Sequence, residues 1–172
     1  MNAKRITPSK AYFEFFQINK RVEVKVIIPC EIFQAFFDQQ NQLIDEIPNV
    51  VSSGFFFDYV KENLILLDSK GSKLDLSEVV KIGKDDGTNM MAFNMVFNSK
   101  NKSVQNVVNT FLFDVNELHV NSHKIAEDEF IVTSVNDEIF AFPQRRNTQM
   151  IWSILFIVAL SIIAFLIYMV KS

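Results

Sequence analysis

The chain has 172 residues, a formal charge of −3 from 17 basic and 20 acidic side chains, and one cysteine, Cys30. A single cysteine excludes an intrachain disulfide framework. Four glycines leave little material for a phosphate-cradling loop, and the mildly acidic balance lacks the basic footprint of a nucleic-acid binder.

The first residues, "MNAKRITPSKAYFEFFQINKRVEV", are basic on balance but have no apolar core like that of a secretory signal, because Glu14, Gln17, Asn19 and Lys20 interrupt the Phe-rich stretch. "YFEFFQI" reads as a strand, Asn19–Lys20 as a tight turn, and "RVEVKVII" as its partner. In that partner Val22, Val24, Val26 and Ile28 alternate with Arg21, Glu23 and Lys25. After Pro29 the period changes. Ile32, Phe33, Phe36, Phe37, Leu43, Ile44 and Ile47 recur at helical spacing, with Glu31 in the first turn and Pro48 as a stop. This is expected to be the only substantial helix of the domain.

From Val50 the pattern returns to strands: Val50–Val60, Asn63–Leu67 and Lys73–Ile82, then "MMAFNMVF", Val104–Val115, "FIVTSV" and "EIFAF". Polar turns separate them at 68–73, 84–89 and 98–103. The stretch "NELHVNSHKIAEDE" (116–129) is irregular and polar, and reads as a loop or short helix. The expected fold class is α+β, mainly antiparallel β in a sandwich or partly open barrel, with one amphipathic helix and a single C-terminal transmembrane helix. Eighteen phenylalanines suit a core assembled from large rings, or alternatively a cavity for an apolar ligand.

No motif carries recognisable chemistry. His119 and His123 stand at i and i+4 near Asp114, Glu117 and Glu127, but lack the firmer spacing of a zinc site. "DDGTN" lacks the alternating oxygen ligands of a calcium loop. Cys30 lies at a helix start, where a thiol pKa can fall, yet no base is tied to it. The expectation is no catalytic residue, no cofactor and no bound metal. Lys84, Asp85, Asp86, His119 and His123 are the candidate partner contacts, because recognition often sits on loops of a rigid scaffold.

The C-terminal segment is more informative. Met150 to Val170 contains no charged residue, and as a helix it reaches roughly 31 Å, about the hydrocarbon thickness of a bilayer. Trp152 and Tyr168 sit near opposite ends, at the level amphipathic rings prefer. Arg145 and Arg146 precede the run and only Lys171 follows it, which predicts an N-terminal side facing the cytoplasm. The expected organisation is a domain over 1–143, a connector at 144–149, an anchor from Met150 to Val170, and a tail at 171–172. Fully extended, the connector reaches only ~20 Å, so the domain is expected close to the bilayer. The functional expectation is a tail-anchored, single-pass protein whose cytoplasmic domain binds a protein partner in or at the same membrane. The alternatives are a carrier of lipid or apolar ligand and, third, a membrane-bound enzyme.

Overall fold

The hairpin Lys10–Ile18 (β1) and Arg21–Pro29 (β2) starts the fold, and Asn19, with φ of 52°, takes the left-handed turn position. Asparagine tolerates that region better than most residues. The computed structural model describes residues 9–42, 49–85, 89–100, 102–125 and 129–143. The alternation in β2 is resolved as expected: Val22, Val24, Val26 and Ile28 are buried while Arg21, Glu23 and Lys25 face away.

Pro29 leads directly into helix α1 (Cys30–Gln39), which buries Ile32, Phe33, Phe36 and Phe37. The helix ends earlier than its apolar spacing suggests. Asn41 has φ of 54°, its N–H donates to the Asp38 carbonyl, and the Gln42 N–H reaches back to Phe37. This pair of bonds is a Schellman motif, which closes a helix at a left-handed residue. Leu43, Ile44 and Ile47 lie outside the described residues.

The stretch from Val50 to Val60, expected as one strand, is not one. Strand β3 is only Val50–Val51, and helix α2 runs Phe55–Asn63. Gly54, at φ 92°, turns the chain between them. Phe56, Phe57, Val60 and Leu64 then fall on one buried side, a helical spacing that the apolar triplet "FFF" conceals. The domain thus has two described helices rather than one.

Strands β4 (Leu64–Leu67), β5 (Asp75–Asp85), β6 (Met90–Asn98), β7 (Asn106–Asn109), β8 (Val120–Lys124), β9 (Phe130–Thr133) and β10 (Ile139–Ala141) complete the fold. The expected Val104–Val115 strand shortens to β7. Beyond it Leu112, at φ 63°, sits in a chain of turns, and Phe111 N–H is held by the Asn109 side chain at 3.0 Å. Two sheets result. The larger has the order β3-β5-β6-β2-β1-β8-β9 and the smaller β10-β7-β4. All pairs are antiparallel except β1 with β8, where Lys10–Glu14 runs parallel to Val120–Lys124. The fold is α+β and mostly β.

One core serves both sheets. Ala11, Phe13, Val24, Val26, Phe93 and Met95 rise from the larger sheet. Both helices, Leu64 and Leu66 of β4, Val107 of β7 and Phe140 of β10 meet them. The phenylalanines pack on one another. Phe33 lies 4.9 Å from Phe37, 5.3 Å from Phe56 and 5.1 Å from Phe93 between ring centroids. These separations are those of edge-on and tilted aromatic contacts, with rings filling the space between elements.

Candidate functional site

Helix α2 divides its residues between two tasks. Phe56, Phe57 and Val60 enter the core, while Asp58, Lys61 and Glu62 share the outward face at i, i+3 and i+4. That face borders a groove of about 370 Å³ whose other wall is the start of β5. Leu64, Leu74, Leu76 and Phe97, each under a tenth exposed, form its floor, and Lys73 and Asp75 complete a charged rim. An apolar floor inside a polar rim of both signs is the usual anatomy of a protein-docking patch.

The groove's wall is stiff because the turn leading into it is tied down. Asp68 accepts the backbone N–H of Lys70 at 2.8 Å and of Ser72 at 2.9 Å, and its other oxygen pairs with Lys102. The Lys102 ammonium, followed by the Ser72 N–H, lowers the Asp68 pKa to about 2. Leu74 N–H then bonds Leu66 at 2.9 Å. Lys100 adds an exposed pair with Asp75 at 3.4 Å, a contact of little energetic weight. The turns expected at 68–73 and 98–103 are therefore neighbours, and together they brace one side of the groove.

The histidines are placed differently from the sequence expectation. His119 and His123 are both fully buried rather than set on an exposed loop. The segment around them is not a loop throughout: β8 occupies Val120–Lys124, and the even spacing of 119, 121 and 123 turns all three side chains inward. His119 Nδ1 is 2.7 Å from Ser9 Oγ, and its Nε2 is 3.1 Å from Asn121 Oδ1. Asn121 Nδ2 donates to the Phe111 carbonyl at 3.0 Å and to Asn109 Oδ1 at 3.3 Å. This assigns the proton of His119 to Nε2 and leaves Nδ1 to accept from Ser9. His123 contacts Thr133 Oγ1 through Nε2 at 3.0 Å and lies 4.4 Å from the Phe140 ring centre. Burial lowers the pKa of His119 to about 4 and that of His123 to about 3.

Ser9, His119 and Asn121 have the connectivity of a nucleophile, a base and an orienting group, a set not visible in the sequence because Ser9 is distant from the other two. Its electrostatics do not suit that use. An amide orienter leaves an imidazolium without a counter-charge, and a base with so low a pKa abstracts protons poorly near neutrality. What the cluster does is join β8 of the larger sheet to Asn109 of the smaller one. Among the described residues, no three His, Cys, Asp or Glu side chains gather as a metal site.

Of the remaining candidates, Lys84 and Asp85 are the last residues of β5, opposite Met91 and Met90, rather than part of a free turn. Asp86, Arg145, Arg146, Met150, Trp152, Tyr168 and Val170 lie outside the described residues. Among the described residues no helix is long and apolar enough to cross a membrane. The chain matches no protein-family model and no curated protein sequence with which it was compared.

Proposed function

We propose that the chain is a single-pass membrane protein, anchored through its C-terminal apolar run, whose cytoplasmic β-rich domain docks a protein partner at the membrane surface. The observation that carries this reading is the uncharged stretch from Met150 to Val170, separated by six residues from Pro143, the last described residue. It is long enough to span hydrocarbon and has nothing in it to oppose insertion. Arg145 and Arg146 on its N-terminal flank favour a cytoplasmic domain. Tethering raises the effective concentration of any partner in the same membrane, so a modest interface suffices. The groove between α2 and β5 is the surface best suited to it, with its apolar floor and its rim of Asp58, Lys61, Glu62, Lys73 and Asp75.

The carrier alternative has less support, because it needs a hollow interior where the phenylalanine rings instead meet one another. The test is proximity labelling from the intact protein in its own cell, with wild type beside Glu62→Lys and Asp75→Lys. The reading expects a set of membrane-associated neighbours that is reduced severalfold by the rim reversals at equal protein level. Identical neighbour sets for wild type and both variants contradict docking at this groove.

A further inference from the structure

Both helices and the smaller sheet cover one face of the larger sheet, and no described element covers the other. Strand register shows what that outer face presents. One row crosses five strands as Val132, Ser122, Tyr12, Ile27 and Ala92. The next row runs Phe130, Lys124, Glu14, Lys25 and Asn94. The first row is apolar but for the hydroxyls of Ser122 and Tyr12; the second carries the charge.

Where these rows meet, Tyr12, Ile27, Ser122 and Phe130 line a groove of about 180 Å³ flanked by Lys25 and Lys124. Ser122 lines this groove and is 1% exposed as a residue, and its buried hydroxyl has no hydrogen-bond partner among the described residues. Of the strand carboxylates on this face from β9 to β2, Glu14 is committed to Lys124 at 3.0 Å and Glu23 accepts from Asn94 at 3.2 Å. Lys25 and Lys10, the latter 5.0 Å above the Tyr12 ring, remain to face an anion.

The chain's path adds an independent reason. Phe130 and Val132 of β9, Val135 in the following turn and Ile139 of β10 are 53%, 49%, 45% and 59% exposed. These are the last described elements of the domain, and a fully extended connector over 144–149 would span roughly 20 Å to the start of the apolar run. Four of the ten large exposed apolar side chains among the described residues thus lie in the stretch that precedes the connector.

We propose that the outer face of the larger sheet, from β9 across to β2, rests on the anionic leaflet of the anchoring membrane. Phe130, Val132, Tyr12 and Ile27 meet the boundary between headgroups and acyl chains, and Lys10 and Lys25 approach phosphates. Aromatic residues with lysines beside them suit that boundary. This rests on the single-pass reading, and it leaves the groove at α2 clear of the bilayer for a partner.

The test uses the full chain in nanodiscs containing phosphatidylserine, with Cys30→Ala and a nitroxide at Val132→Cys, at Phe130→Cys or, on α2, at Lys61→Cys. Collision with dissolved oxygen reports lipid, and collision with a water-soluble nickel chelate reports solvent. The expected oxygen-to-nickel ratio is severalfold higher at 130 and 132 than at 61. It should shift toward the aqueous value with phosphatidylcholine alone or with Lys10→Gln and Lys25→Gln together. A carbonate-resistant protein whose labels at 130 and 132 are as open to nickel as that at 61 overturns this proposal alone, and leaves the face to a protein. Release of the chain by carbonate overturns the single-pass reading and this inference together.

Discussion

Tyr59 shows how one side chain can hold three parts of the domain. Its hydroxyl donates to Asp114 at 2.8 Å and accepts the Leu112 N–H at 2.8 Å, while its ring packs on Phe36 and Phe111. Burial, then the Asp114 charge, raises its pKa well above the ordinary tyrosine range, so it stays a donor at any working pH. Tyr59→Phe keeps the ring but leaves the Leu112 N–H and Asp114 without their partner. It should cost about 1–3 kcal/mol, read as a lower urea midpoint in pulse proteolysis of the domain. The buried histidines make the domain acid-sensitive. Unfolded histidine takes up a proton near 6.5, whereas folded His119 and His123 do so only near about 4 and 3. Between those values the unfolded chain binds more protons. Stability therefore falls as pH drops below 6.5, by up to about 1.4 kcal/mol per pH unit for each histidine. Asp68 extends the loss lower, between its ordinary 3.8 and about 2. Proteolysis midpoints should hold from pH 7.5 to about 6.5 and decline from there to pH 4.5, and a flat profile across that lower range contradicts the burial. These histidines were misplaced from sequence because "NELHVNSHK" is locally polar. The period-two spacing of His119, Asn121 and His123 was present, but alternation of polar residues does not say which face is inside.

Among the elements, those with strong local periodicity were legible and those set by backbone exceptions or distant partners were not. The β1–β2 hairpin and its Asn19–Lys20 turn follow from alternation, and the core face of α1 follows from its apolar spacing. The end of α1 depends on Asn41 adopting a left-handed conformation, which competes with the apolar pattern that continues past it. Helix α2 depends on Gly54, whose φ of 92° and ψ of 178° lie where side chains are strained. A Cβ at Gly54 would meet nothing within 4 Å, so Gly54→Ala is a clean test of the backbone. It should destabilise the domain by about 1–3 kcal/mol through local strain alone, again measured as a urea midpoint. A variant as stable as wild type would show that this turn does not need its glycine. The parallel pairing of β1 with β8 joins segments about a hundred residues apart, and no local pattern in either strand encodes a partner or a direction.

For the whole molecule, the fold leaves two surfaces with different chemistry. One is the groove at α2, with an apolar floor and rim charges of both signs. The other is the outer face of the larger sheet, with exposed aromatic and aliphatic residues such as Tyr12, Phe130 and Val132 beside Lys10 and Lys25. The groove was only half legible from sequence: the turns at 68–73 and 98–103 were marked by polarity, but the helix forming its other wall was read as a strand. Both surfaces gain their proposed roles from the proposed anchor, and that anchor is the most direct thing to measure. Full-length protein in vesicles with the cytoplasmic face outward is washed with alkaline carbonate and then treated with trypsin. The account predicts that the protein stays with the membrane through the wash and that trypsin removes the domain while sparing a fragment containing Met150 to Val170. Release by carbonate, or a domain protected from trypsin in sealed vesicles, contradicts it.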